Sequence, residues 1–288
     1  MKAALPFSSL VLLLGTCAIA APPARPAVVL TTDCGAEVDD QWALAHLALC
    51  PEIDLKGVVT THAPNLKTPA AELARQIARA VLDRLPLAMR PTVIAGSSEP
   101  LADRSQPRMN AGVQFLLDQA RGHTPDDRLV VIMIGAATDV ASALLTDPTL
   151  AERIRIVAMG FDAWPEGNDP WNVKNDVKAW QVVMASKAPL VVGDAAITKL
   201  HLSMTRDKAR ALLNGHGQGG EQLVAYLVSW LDHNGALAES ISGSKNSWPI
   251  WDEVVTAYLL GLTRSETHPR PALRDDMTFD HSRPSGTI

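Results

Sequence analysis

Four carboxylates, Asp33, Glu37, Asp39 and Asp40, crowd into eight residues of the stretch VVLTTDCGAEVDDQWALAHLAL (28–49). Clustered carboxylates either raise one another's proton affinity or hold a cation. An Asp before a helix is often a cap, and a second acid in the first turn suits the helix dipole. Capping accounts for one or two such residues, not four. The donors are hard oxygens, the kind Ca²⁺ accepts in irregular numbers and geometry. No His or Cys set has zinc-like spacing, and the eight histidines are scattered. The EF-hand pattern is absent. Gly35 stands where a D-x-D phosphatase would need its second acid, and there is no Gly-rich Lys-Ser/Thr phosphate loop.

These acids need elements to hold them. Apolar, β-branched runs at 27–32, 55–61, 91–96, 128–135, 154–160 and 188–193 are short and apolar on both faces, as buried parallel strands are. Helical patterns lie between them at 39–49, 69–84, 109–121, 138–146 and 175–186. This alternation predicts an α/β fold, a doubly wound and mainly parallel sheet flanked by helices. After about residue 200 the pattern is mostly helical (206–213, 219–233, 252–262), with a Gly/Ser/Asn-rich loop expected at 234–247. The tail from Pro269 to Ile288 is polar and expected to be loosely held, leaving residues 27–268 as one domain. In such sheets ligands sit beyond the carboxyl ends of the strands. That rule places Asp33–Asp40, Thr61, His62, Asn65, Thr138, Asp139, Asn168 and Asn172 on one rim. The rim is rich in carboxylates, amides and hydroxyls and poor in Lys and Arg, which suits a hard cation and a sugar better than a phosphate.

The bulk numbers agree. The chain has 288 residues, 47% hydrophobic and 20% charged, with net charge −5 from 26 basic and 31 acidic residues. Nothing basic enough for a nucleic-acid or anionic-membrane surface appears, so a small or neutral partner fits better. Residues 1–20, with Lys2, an apolar centre and Ala18-Ile19-Ala20, read as a secretory signal, too short to span a membrane. Residues 21–26 read as an extended leader. The expected location is periplasmic or extracellular, with a lipid anchor on Cys17 as the less favoured alternative. Cys34 and Cys50 are expected to be free, because the helix between them, roughly 16 Å long, is too long for a disulfide.

TTDCGAEVDDQWALAHLALCPEIDLKGVVTTHAPN resembles the opening of the inosine-uridine preferring nucleoside hydrolases, whose Asp-x-Asp-Pro-Gly-x-Asp-Asp loop precedes a helix, a strand and a Thr-x-x-Gly-Asn turn. Three further segments resemble later family motifs, in order: IGAATDVASALLTDPTLAERIRIVAMG, EGNDPWNVKNDVKAWQVVMAS and WPIWDEVVTAYLL. Together they run from about Ala27 to Leu262. The resemblance implies a Ca²⁺ that holds a ribose diol and a water, and hydrolysis of an N-glycosidic bond. By position, Asp33 would be a calcium ligand and the general base. Asp40, the Thr138 carbonyl and Asp252 would be the other calcium ligands. Asp39, Asn65, Asn168 and Asn172 would contact the sugar. The family also implies a homo-dimer or homo-tetramer.

The departures bear on the leaving group. Thr31 replaces the first acid of the family loop, and Ala36 and Glu37 are extra. Pro170-Trp171 replaces a Glu-Phe pair, and Trp251 stands where some members carry the His that protonates the departing base. Calcium and ribose binding are better preserved than leaving-group activation. The alternatives are therefore a hydrolase of another furanoside, or a calcium-dependent nucleoside- or sugar-binding protein with weakened turnover. Trp248 and Trp251 either pack the core or stack on a ligand ring, and Trp251 is the candidate for a substrate contact. His62 and His201 read as structural. Glu37 is either a solvated loop acid or an added ligand or substrate contact.

Overall fold

The computed structural model describes residues 25–288; the expected export segment and Cys17 lie outside the described residues. Six apolar runs form one parallel sheet: β1 (Ala27–Thr32), β2 (Asp54–Thr60), β3 (Thr92–Ala95), β4 (Leu129–Met133), β5 (Ile154–Met159) and β6 (Leu190–Gly193). Their spatial order is β3-β2-β1-β4-β5-β6. The chain winds outward from β1 in one direction, then restarts at β4 on the other side of β1. That reversal is the switch point of a doubly wound sheet, and it opens a crevice beyond the ends of β1 and β4. The register sets Thr31 beside Met133 and Thr32 beside Thr60, so the chain after each strand emerges on the same rim.

Side chains alternate between the two faces with the period of two that strands impose. Val28, Leu30, Val130 and Ile132 enter one core; Val29, Leu129, Val131 and Met133 enter the other. The first face is covered by α1 (Asp39–Leu49) and α2 (Ala70–Leu82). The second is covered by α3 (Ala111–Ala120), α4 (Thr138–Thr146), α5 (Leu150–Arg153), α6 (Asn172–Asn175) and α7 (Val177–Ala185). The chain then returns to the first face with α8 (Ala195–His201), α9 (Arg206–Leu213), α10 (Gly217–His233), α11 (Gly235–Ser242) and α12 (Glu253–Leu259). Among the described residues no helix is long and apolar enough to cross a membrane.

Two expectations are corrected. The Gly/Ser/Asn-rich stretch at 234–247 is not all loop: α11 forms within it, anchored by buried Ala238 and stopped by Gly243 at φ 72°. The short strand β7 (Ser203–Thr205) then pairs antiparallel with β8 (Ser247–Pro249), which leads into α12. The tail is not loose either. β9 (Ala272–Leu273) and β10 (Phe279–Asp280) form a small hairpin whose Leu273 and Phe279 enter the second core. The buried Arg270 guanidinium donates to the carbonyls of Ser186, Ala188 and Thr287. Polar composition hid this packing, because a few apolar anchors and one buried cation hold the whole segment. Cys34 and Cys50 are free, as expected, and both are buried.

Candidate metal centre

The end of β1 delivers Asp33 to the rim, where a tight turn follows with the Ala36 N–H donating to the Asp33 carbonyl at 2.9 Å. Gly35 takes φ 98° in this turn, a left-handed conformation that side-chain-bearing residues disfavour. The turn folds the acidic loop back so that α1 begins at Asp39, with Asp39 and Asp40 both in its first turn. Asp252 arrives from the far end of the sequence, on the residue before α12. Asp39, Asp40 and Asp252 are all buried, with one carboxylate oxygen of each within 4.8 Å of the others. Asp33 adjoins them: its carboxyl lies within hydrogen-bonding reach of Asp40, and one of its buried oxygens, Oδ2, has no partner. Gly135 after β4 permits this closeness, since a Cβ there would stand 2.7 Å from the Asp33 nitrogen.

Electrostatically the group is under pressure. Burial, then the Asp39 charge, pushes Asp40 up to about 8, against the Thr32 hydroxyl that donates to it. Burial raises Asp39 to about 6, although the backbone N–H groups of Asp252 and Trp251 face it and pull the other way. Asp33 and Asp252 are raised by burial first and by the neighbouring carboxylates second. Half-buried Glu37 is also raised by burial and by Asp39 and Asp40, with the Trp248 indole partly offsetting them. No ion pair among the described residues involves any of these five acids. Buried carboxylates without a counter-charge are costly unless protonated or metal-bound. An oxygen-only donor set with an orphaned buried oxygen fits a hard divalent cation.

The other expected site residues divide. Asn172 is buried at the start of α6, its amide donating to the carbonyls of Ile134 and Met159 while Oδ1 has no partner. It spans the ends of β4 and β5 and leaves one acceptor free on the rim. Thr138 is buried, but it is not the cap of α4: Ala137 holds that position, and the Thr138 hydroxyl donates to Asp176 Oδ2 at 2.7 Å. His62 Nε2 lies 2.9 Å from the same hydroxyl, which makes it the donor there, and burial lowers its pKa. Asn65 is exposed and spends its amide on the Ala36 carbonyl at 2.6 Å, bracing the acidic loop. Asn168 is exposed in a left-handed turn (φ 61°), with its backbone N–H donating to the Met277 carbonyl and its carbonyl accepting from the Asp162 N–H. Trp251 is half-buried and packs edge-on against fully buried Trp248, ring centroids 6.4 Å apart.

Three buried aspartates hold the rim together, and of these the sequence placed only Asp139 there. Asp176 joins Thr138, the Leu101 N–H and the start of α7. Asp139, raised to about 6 by burial, accepts from the Ser97 N–H and the Asn110 amide. Asp169, also raised to about 6 by burial, accepts from the N–H groups of Phe161, Trp171 and Val173. Each lies within a few residues of a motif, yet its partners are distant in sequence or local to an irregular loop. Beside the acidic loop opens a cleft of about 240 Å³ lined by Glu37, Gln41, Tyr226, Trp230 and His233. A larger pocket of about 590 Å³ lies at the β6 edge beside Trp164, Tyr258 and His268, and none of the five acids lines it.

The model of one protein family, described as inosine-uridine preferring nucleoside hydrolase, matches residues 28–279. Among solved structures, a purine-preferring ribonucleoside hydrolase from Gardnerella vaginalis aligns with TM-score 0.71 and 19% identity, covering 91% of this chain and 87% of that one. A plant nucleoside hydrolase aligns at 0.69 and 17%, covering 92% and 86%. An inosine-uridine preferring nucleoside hydrolase from Bacillus anthracis aligns at 0.66 and 18%, covering 90% and 92%. At these identities the structural likeness establishes the fold. No curated protein matches the chain.

Proposed function

Because the chain belongs to the inosine-uridine preferring nucleoside hydrolase family, we propose that its acidic rim binds Ca²⁺ together with the ribose of a ribonucleoside or related riboside. The chain is an N-glycosidic hydrolase. The observation that carries the metal reading is four buried aspartates from two ends of the sequence, gathered at the switch point with no counter-charge. A calcium ion there would supply Lewis acidity toward a water and a grip on a vicinal diol. Asp33, Asp40 and Asp252 would hold it with the Thr138 carbonyl; Asp39 shares their group and could serve metal or sugar.

The chain's own residues then have separable tasks. Asp33 has an oxygen free of partners, and it accepts the proton of the attacking water as general base. The water oxygen bonds to the anomeric carbon, and the electron pair of the C–N bond leaves with the base. Positive charge develops on the sugar in the transition state, and the surrounding carboxylates favour it. Asn172 Oδ1 accepts from a ribose hydroxyl and so orients the ring, while Trp251 flanks the base side. Asn65 and Asn168 act here through the loops they hold.

Ribose release from a panel of nucleosides, with and without a chelator, tests the reading. Chelation is expected to stop release and added Ca²⁺ to restore it. Calcium-dependent binding with no free sugar would instead support a binding protein, and full activity after chelation would overturn the metal assignment. A homo-dimer or homo-tetramer and export guided by residues 1–20 belong to the same proposal. Sedimentation of the purified protein and N-terminal sequencing of the exported form check them; a chain starting near Ala21 is expected.

A further inference from the structure

We propose that the cavity at the β6 edge is a second binding site, one that takes a neutral planar ring with a lactam edge, such as a free nucleobase. It is lined by none of the five acids of the rim.

The first ground is the open edge of the sheet. β6 is its last strand, bonded on one side to β5. The Ile156 N–H donates to the Pro189 carbonyl at 2.8 Å and the Gly160 N–H to the Gly193 carbonyl at 3.2 Å. In a parallel ladder that parity turns the N–H and C=O groups of Leu190 and Val192 to the outer side. No strand meets them there among the described residues. The segment 263–268 faces this edge without pairing to it; His268 exchanges backbone bonds with Ile288 instead, at 3.1 and 2.9 Å. Between strand and segment lie about 590 Å³, lined by both. Val192 thus presents a donor and an acceptor side by side to that space, the pattern a lactam edge complements.

The second ground is the chemistry of the walls. Phe161, Trp164, His268 and Phe279 line the cavity as one aromatic cluster, with Trp164 and His268 stacked at 4.4 Å between centroids. Val254 and Tyr258 of α12 add apolar surface, and Ile197 of α8 stands 49% exposed beside the same space. Such walls bury the faces of a flat ring, while a few convergent polar groups fix its orientation. The charges argue against a phosphate. Arg264 is the one arginine in the lining, and two acids share the space with it. Asp194 accepts from the Ile197 N–H at 2.9 Å, and Glu266 lies 3.4 Å from His268 Nε2. A neutral base fits this set better than a nucleotide. An extended peptide could also pair with a strand edge, but it would have to thread beneath the segment 263–268. A compact ring does not. A free base is also what the proposed hydrolysis releases, although the binding chemistry of this cavity stands apart from that reading.

Calorimetric titration of the chelated Asp40→Asn protein with hypoxanthine and with uracil tests the proposal, because neither turnover nor calcium then intervenes. At least one base is expected to bind with a Kd below about 1 mM. Val192→Pro removes the outward N–H while sparing the ladder to β5, as proline on an edge strand can. It is expected to weaken binding at least about fivefold, the worth of one hydrogen bond. Ser265→Trp, on the exposed covering segment, fills the space and is expected to abolish binding with the melting temperature unchanged; it decides the matter if Val192→Pro does not fold. No binding of either base overturns the proposal, and so does binding that Ser265→Trp leaves intact, which would put the base elsewhere. Tighter binding of an acetylated Val-Thr-Val-Thr tetrapeptide than of either base would mark a peptide groove and overturn the ligand class. None of these outcomes bears on the hydrolase reading, which ribose release tests separately.

Discussion

Asp40 differs from a simple helix cap in what its loss should do. A capping residue costs about 1 kcal/mol when removed and leaves chemistry alone. As a metal ligand, Asp40 exchanged for Asn should abolish stoichiometric calcium binding, read by calorimetry, and lower kcat by at least about a hundredfold. Asp33→Asn should lower kcat by roughly 10²–10⁴, the usual worth of a positioned base. In the metal-free protein, both variants should melt at a higher temperature than the parent at pH 8. Each removes one member of a mutually repelling buried set, and repulsion relieved is stability gained. A cap or an ordinary core acid predicts the reverse order of melting temperatures.

Elements matter here through their close approach. The turn after β4 passes so near Asp33 that a single methyl at Gly135 would meet the Asp33 nitrogen and Oδ1, at 2.7 and 2.9 Å. The nitrogen is backbone, so the β1 terminus would have to move. Gly135→Ala is therefore expected to cost about 1–3 kcal/mol and to weaken calcium binding, whereas alanine at Gly122, which faces open space, should change neither. Chemical denaturation and calorimetry on the two variants check this. At the other edge of the sheet, removal of residues 269–288 would take the Arg270 guanidinium off the Ser186 and Ala188 carbonyls and Phe279 out of the second core. A stability loss of about 3 kcal/mol or more is expected from unsatisfied buried carbonyls and lost apolar burial. Urea unfolding of the truncated chain measures it.

For the whole molecule, the acidic basin links folding, pH and cation. Asp39 at about 6 and Asp40 at about 8 lie above the ordinary Asp value of 3.8. Without a cation, the native state thus binds more protons than the unfolded chain between about pH 4 and 8, and stability falls as pH rises through that window. Calcium requires the ionised carboxylates, so its binding releases protons and tightens over the same range. The melting temperature of chelated protein should fall from pH 5 to pH 8, while the calcium-loaded protein should hold or gain. Parallel melting curves with and without calcium would remove the linkage.

The sequence by itself determined the sheet and much of the rim. Runs apolar on both faces can be stable only between two layers of helices, so the alternation from β1 to β6 was legible, and α1, α4 and α9 begin and end where their periodicity places them. Asp33, Asp39 and Asp40 were legible too, because a strand end followed by a helix start fixes them locally. Helix α11 and the packed tail were not, since one buried alanine and a few anchors carry them against a polar background. Nor were the local bonds of the asparagines: Asn172 keeps a free acceptor on the rim, while the Asn65 amide donates to the Ala36 carbonyl and the Asn168 backbone N–H to Met277. The resemblance had already named Asp252, but it is the tertiary structure that brings it across more than two hundred residues to Asp39 and Asp40 and puts Asp176 against Thr138. Residue type and spacing specify which groups can do chemistry. Which oxygens are left without partners depends on every long-range contact the fold makes, and here those unpaired oxygens define the site.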